Sequence, residues 1–340
     1  MVIFTYIGPL LILPFSRSLV AAVLVLATGR LVSLIAHAWV CARLYPFLRG
    51  PVVFDRAPAR ALLHFGGWST VSNVVSPMMV YMDRFVIGAM LTVAAVAHYV
   101  TPYEVIVRLL VIPAALTGAV LPALASSAAN DRALMGGLYD RALRAIMLVS
   151  FPAVLVAVAF AREGLSLWLG GRLPPESAQV AQWLALGVFV TALAQAPATA
   201  LQSAARPDLI AKVHVAELPV YVVLLLWLTR AYGISGVAIA WTLRATVDAL
   251  ALFWIAHRRL GLPLTPRLGG PWGVVAMVGA LVAATGLGTT QGRIAYVAAV
   301  LVVYAPLCWR MLLTGVERVG LRNWLRAPTV SETPSAEEAI

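Results

Sequence analysis

The chain reads as a succession of apolar runs, each close to the length of a membrane crossing, divided by short gaps in which arginines collect. A spanning helix needs about 20 mostly apolar residues. Stretches 1–15, 18–41, 66–91, 94–124, 143–170, 179–203, 209–230, 233–257, 272–290 and 294–314 meet or approach that length. Several carry internal proline (Pro77, Pro102, Pro113, Pro152, Pro197, Pro219, Pro306). Membrane helices tolerate proline because neighbouring helices satisfy the freed backbone groups. The pattern predicts an all-α polytopic membrane protein of about ten transmembrane helices, kinked around a cavity.

Composition agrees with this solvent. Hydrophobic residues make up 61% of the chain and charged residues 11%, with a mean hydropathy of +0.90. A soluble domain carries about 25% charged residues. The formal net charge of +11 sits almost wholly on arginine, with Lys212 as the single lysine. No basic stripe with interleaved aromatics is present, so the charge does not point to nucleic acid.

The arginines instead set orientation. With the first segment running outward, the cytoplasmic gaps hold Arg43, Arg49, Arg56, Arg60, Arg132, Arg141, Arg144, Arg206, Lys212, Arg258, Arg259, Arg267, Arg310, Arg318, Arg322 and Arg326. The outer gaps hold only Arg17, Arg162, Arg172, Arg230 and Arg293. This bias predicts a multi-pass protein with both termini cytoplasmic. The first residues lack the basic start and cleavage site of a signal peptide. Cys41 and Cys308 have no metal or redox spacing and are expected to be free thiols. No cofactor or metal site is indicated.

The gaps are short, and no outer loop could fold into a catalytic domain. Residues 44–62 read as a cytoplasmic linker along the membrane surface. Residues 315–340, ending in "APTVSETPSAEEAI", read as a polar cytoplasmic tail with the composition of a disordered segment.

One internal similarity organises the rest. Residues 23–30, "VLVLATGR", and 237–244, "VAIAWTLR", both place Thr two residues before a mid-helix Arg. Each follows a proline-containing segment, with Pro9 and Pro219 respectively, and each helix ends in a basic residue 13 or 14 positions later. A repeat of this kind is how many transporters build a cavity between two lobes. It pairs 1–43 with 209–258, the last two helices of a six-helix lobe spanning 63–258. Residues 1–43 would then be the last two helices of an N-terminal lobe whose first four are absent. Residues 1–15 reach only about 22 Å as a helix, short of an ~30 Å hydrocarbon core.

Two stretches carry a family resemblance. "FGGWSTVSNVVSPMMVYMDRFVIGAMLTVAAVAHYVTPYEVIVRLLVIPAAL" resembles the seventh and eighth helices of Wzx-type polysaccharide-biosynthesis flippases, members of the multidrug/oligosaccharidyl-lipid/polysaccharide exporter superfamily. "LQSAARPDLIAKVHVAELPVYVVLLLWLTRAYGISGVAIAWTLR" is similar to their eleventh and twelfth. The resemblance covers about residues 1–258, and 272–314 matches the additional helix pair of fourteen-helix members. It implies a MATE-like two-lobe transporter moving undecaprenyl-diphosphate-linked oligosaccharide across the inner membrane by alternating access. The product would serve O-antigen, capsule or exopolysaccharide synthesis, and polysaccharide polymerase machinery is an implied partner. The departure at the start, with four helices missing, puts transport by this chain alone in doubt.

Charges inside spans are costly and mark function by default. They are Arg30, Arg84, Arg108 and Arg244, with Asp83, Glu104, Glu217 and Asp248. Glu104 with Arg108, and Arg244 with Asp248, are spaced i,i+4 and could pair locally. Asp83 and Arg84 are adjacent and need separate partners on other helices. Guanidinium groups match phosphate oxygens, so Arg30 and Arg244, at equivalent repeat positions, are read as cavity groups for a diphosphate. Arg108 and Arg84 are the next candidates, with interhelical struts as the competing reading for all four. Asp83 and Arg84 are read as lobe-shaping or gate residues. Glu217, with His214 three residues before it, is the best-placed carrier for a coupling H⁺ or Na⁺. His37 and His98 read as packing or interfacial groups, and Tyr81, Tyr99 and Tyr103 as belt residues or sugar platforms.

Three other functions compete. A cation-coupled multidrug antiporter of the same superfamily should have an acid-rich, arginine-poor cavity. A membrane polymerase or glycosyltransferase usually needs a large loop or a metal site, and neither is evident, so the protein is not expected to be an enzyme. A non-transporting fragment is the last.

Overall fold

The computed structural model describes residues 18–45, 56–128, 131–169, 174–264 and 271–312. The expected helix at 1–15, most of the linker and the tail from 315 lie outside the described residues. The chain forms two structural units, residues 1–62 and 63–340.

In the first unit, α1 runs over Leu19–Leu44. The Ser18 hydroxyl caps its N-terminus by accepting from the Val20 amide, and Arg43 sits in the last turn where the helix dipole favours a cation. Helix α2 covers Arg56–Met90 and so begins inside the stretch expected to be linker. Its opening turns, rich in Ala, Arg and Leu, favour helix, and Pro58 falls in the first turn, where no helical N–H is lost.

The second unit continues with α3 (Val93–Val107), a 3₁₀ turn (Arg108–Leu110), α4 (Val111–Ala128), α5 (Arg132–Ala159), α6 (Ala161–Leu169), α7 (Pro175–Ser203), α8 (Pro207–Leu260), α9 (Pro271–Thr285) and α10 (Thr290–Leu307). The last ends in a π-helical turn at Cys308–Leu312. All regular structure among the described residues is helical. Among the described residues, six stretches are long and apolar enough to cross a membrane: Val23–Leu44, Val93–Ala128, Arg132–Ala159, Glu176–Ser203, Pro207–Leu260 and Thr290–Arg310. The protein is an all-α polytopic membrane protein. Helix α2 is more polar than these six, because Ser69, Thr70, Ser72, Asn73 and Ser76 dilute its apolar run.

Helix α7 is the axle of the unit, packing against α3, α4, α5, α6, α8 and α9. Val180, Leu184, Ala185, Val188, Phe189, Ala192 and Ala196 are buried along it. Across the contact with α5, Phe151 meets the Phe189 ring edge-on at 6.0 Å. The Gln182 amide also donates to the Val158 carbonyl at 3.3 Å. Gly187 lets α8 approach closely: a Cβ there would lie 2.5 Å from the Trp241 ring. Thr242 donates to the Trp183 carbonyl at 2.7 Å beside it.

Helix α8 is a hairpin of two arms, 207–232 and 234–260. It breaks at Gly233, whose φ of 58° and ψ of −138° suit glycine alone. Partners step outward from the break in antiparallel register. Gly236 sits on Leu228, Arg244 meets Glu217, and Asp248 meets His214. The two expected helices at 209–230 and 233–257 are these arms.

Helices α9 and α10 pack on α5. Tyr304 reaches the Met147 carbonyl at 3.0 Å, and Arg293 pairs with Glu163 of α6 at 2.7 Å. Helix α2 contributes a narrower contact. Its fully buried residues are Met79, Asp83 and Ile87, one stripe at four-residue spacing with a carboxylate at its centre.

Adding a methyl at Gly236 would place it 1.9 Å from the Leu228 carbonyl oxygen, which is backbone and cannot swing away. Gly236→Ala is therefore expected to cost about 1–3 kcal/mol or more as an overpacking change. The expected result is a lower thermal transition and less monodisperse protein in detergent, with Gly279→Ala, which meets open space, unchanged.

Candidate functional site

Six of the eight span charges, all but Arg30 and Arg108, gather in the second unit between α2, α3 and the α8 hairpin. They do so because two i, i+3, i+7 stripes face each other across the hairpin. The first arm presents His214, Glu217 and Tyr221, and the second presents Trp241, Arg244 and Asp248. The stripe of α2 brings Asp83 onto the same layer.

Asp83 is fully buried and accepts two phenol hydrogen bonds. One comes from Tyr99 of α3 at 2.8 Å, and the other from Tyr221 of α8. Both tyrosines are themselves buried. A carboxylate in an apolar interior is tolerable only with such donors. Its neighbour Arg84 turns the other way and bonds Glu104 of α3 at 2.7 Å. The guanidinium also lies over the rings of Tyr81 and Tyr103, at 5.2 and 5.7 Å. Adjacent positions on α2 thus take separate partners, as their spacing requires.

Below this clamp, Arg244 sits 3.8 Å from Glu217 and stands over the Tyr221 ring at 5.6 Å. The contact is longer than a hydrogen bond. Neither carboxylate oxygen of Glu217 has a hydrogen-bond partner, and the same holds for Arg244 Nε and Asp248 Oδ1. His214 bridges the layer: its Nδ1 lies 3.0 Å from the Ser72 hydroxyl of α2, and its Nε2 3.6 Å from Asp248. At the end of the arm, Asp208 binds Arg206 and Lys212 at 2.9 and 3.0 Å. The Lys212 ammonium also stands 5.2 Å from the Trp68 ring of α2. Arg206, outside the span, is raised further above its ordinary basicity by its hydrogen bonds to Asp208.

Two cavities flank the layer. One of about 300 Å³ is lined by Glu217, Tyr221 and Arg244 among apolar residues such as Val213, Leu224 and Val247. The other, of about 330 Å³, is polar, with Ser72, Asn73, Thr191, Gln195, His214 and Asp248 in its wall. Larger cavities elsewhere, beside α9 and α10, are almost wholly apolar.

Several pairings expected from spacing are replaced by contacts through space. Glu104 bonds Arg84, and Arg108 is exposed in the 3₁₀ turn. Arg244 meets Glu217, while Asp248 faces His214. The reason is geometric: the hairpin sets opposite charges nearer across its seam than along one helix face. Arg30 is exposed on α1 in the first unit. Tyr99, read as a belt or sugar-stacking group, is a buried donor, and Tyr221 was not singled out by the sequence. Its signal is the position four residues after Glu217, on the same face. Cys41 and Cys308 are free thiols, exposed and buried respectively.

Comparison with known proteins bears on this layer. Residues 12–172 match the family described as polysaccharide biosynthesis protein. A Shigella flexneri protein named as an O-antigen transporter is 33% identical over 255 residues, 74% of this chain and 59% of the relative. A Haloferax volcanii protein named as a low-salt glycan biosynthesis flippase is 24% identical over 226 residues, 66% of this chain and 46% of the relative. The chain thus spans about half the length of the relatives it matches.

The clamp on Asp83 makes a stability prediction. Tyr99→Phe and Tyr221→Phe each remove one donor from a buried carboxylate and should cost about 1–3 kcal/mol. Because both act on one group, the double variant should depart from the sum of the singles by at least about 0.5 kcal/mol. Thermal unfolding followed by tryptophan fluorescence measures this, with exposed Tyr232→Phe as the unaffected control.

Proposed function

We propose that this chain, a polytopic membrane protein whose residues 12–172 match the polysaccharide biosynthesis protein family, supplies helices of a flippase for lipid-linked oligosaccharide. The cargo would be an isoprenoid-diphosphate-linked oligosaccharide built at the cytoplasmic face of a bacterial inner membrane. It would cross by alternating access, for surface polysaccharide assembly. The names of the two relatives support the cargo class.

The observation that carries the geometric side is Arg244. It is a permanently charged group at mid-span, on the wall of a membrane cavity, held only loosely by its acidic neighbour at 3.8 Å. A loosely held guanidinium keeps donors free for phosphate oxygens, which it engages in forked geometry. Arg30 occupies the equivalent repeat position on α1 and is proposed as its counterpart in the first unit. Arg84 already binds Glu104 and stands over two rings, so its proposed role is to fix α2 on α3.

A second reading has one observation in its favour. The buried layer holds Asp83, Glu217 and Asp248 against the single arginine Arg244, the acid-rich balance expected of a cation-coupled drug antiporter.

The two readings separate in cells. In a strain lacking its own O-antigen flippase, the chain, supplied with any helices its locus encodes alongside it, should restore surface glycan. Arg244→Ala should reduce that glycan at least about tenfold at unchanged protein level, the scale of a lost charge-assisted contact worth about 1.5–3 kcal/mol. Raised drug resistance without glycan would establish the antiporter instead.

A further inference from the structure

We propose that Glu217 and Asp248 form a two-carboxyl site holding one exchangeable proton, filled from the polar cavity beside α2 through His214. As a coupling device it rests on the transporter reading above, whereas its occupancy by a proton does not.

The first ground is charge balance. Asp83 is satisfied by its two phenol donors, and beyond it Glu217, Asp248 and Arg244 leave one surplus negative charge when His214 is neutral. An uncompensated charge in this interior would cost several kcal/mol, so about one positive equivalent must enter. The second ground is hydrogen bonding. Glu217 is only 7% exposed, yet both its oxygens lack a hydrogen-bond partner, and so does Asp248 Oδ1. Glu217 faces Arg244 and Asp248 faces His214, and each pair of neighbours along its arm is three or four residues apart, so the two carboxyl groups share one patch of the seam. A proton shared between them removes the surplus charge and gives these oxygens a donor at once.

A metal ion would need several ligating side chains around one point. Among the described residues, no group of three or more His, Cys, Asp or Glu side chains converges in that way. The groups facing the pair favour a proton as well. Arg244 and Tyr221 come from the hairpin, and His214 faces Asp248. Helix α2 presents Ser72 to His214, with Asp83 farther along it, and α7 presents the neutral Thr191 and Gln195.

The site also stands between two spaces. Asp248 and His214 line the polar cavity of about 330 Å³, and Glu217 lines the neighbouring cavity of about 300 Å³ with Arg244. His214 has one ring nitrogen at a hydroxyl and the other toward a carboxylate. An imidazole so placed can accept a proton on the cavity side and release one on the Asp248 side. Glu217 lies 3.8 Å from the guanidinium proposed to hold the diphosphate, so protonating it would free that guanidinium for phosphate, and its ionised form would compete with the phosphate.

The test uses the full chain in lipid nanodiscs and dicyclohexylcarbodiimide, an apolar reagent that modifies protonated buried carboxyls. Peptide mass spectrometry should find Glu217 modified in mildly acidic buffer. Above the midpoint the modified fraction should fall about tenfold per pH unit, as for a single titrating group. The profile should be the same in sodium and potassium chloride. Asp248→Asn should displace it, and His214→Ala should slow the loss of reactivity toward reagent added after a jump to alkaline pH. No modification of Glu217 at any pH, in protein with an intact thermal transition, would overturn the site. Protection by sodium at fixed pH would replace the proton with a metal ion. An unmoved profile in Asp248→Asn would refute the sharing, and unchanged kinetics in His214→Ala would refute the route. None of these readouts requires oligosaccharide transport.

Discussion

A carboxylate placed inside an apolar bundle must find hydrogen-bond donors there, and this demand at Asp83 governs how the second unit is put together. The apolar stripe of α2 is short, with Met79 and Ile87 on either side of the charge. What fixes the helix in register is the pair of phenols from Tyr99 and Tyr221, contributed by α3 and α8. Polar attachments of α2 add to this: Arg84 to Glu104, Ser72 to His214, and Trp68 beneath Lys212. In lipid, where apolar packing gives helices little reason to prefer each other over acyl chains, such contacts carry the specificity of assembly.

The same polar layer links architecture to the proposed transport. Helix α7 and its neighbours form a well-filled frame in which phenyl rings and small residues interlock. Against that frame, the seam between α2 and the hairpin holds loosely paired charges and two cavities. A rigid support beside an under-satisfied seam is the arrangement expected where a binding step or a movement must be reversible. The acid excess of the layer suits a coupled transporter, and the arginine suits an anionic cargo.

Much of this was legible in the sequence, because hydropathy and proline placement act locally. The apolar runs located the helices, and the adjacency of Asp83 and Arg84 required that they part company. Spacing along single helices misassigned Glu104 and Asp248, since their partners come from other segments. Which arm faces which depends on the break at Gly233, whose φ and ψ no residue count discloses. Helix α2 began earlier than its polarity suggested, because alanine, arginine and leucine form helix whether or not they enter lipid. The cavities arise only where separate segments meet, the two arms of α8 in one case and α2, α7 and α8 in the other, and so leave no mark on any one of them.

The hairpin also bears on how the protein reaches its membrane. Its arms are consecutive and joined through Gly233 alone, so they can enter the bilayer together as one folded unit. Glu217 then arrives beside Arg244, and Asp248 beside His214, already facing one another during insertion. Asp83 has no such companion within α2 and enters ahead of the tyrosine on α8. The order of synthesis therefore leaves α2 the least settled helix of the unit until the hairpin follows it. Biogenesis, in this chain, is completed from its later helices back toward its earlier one.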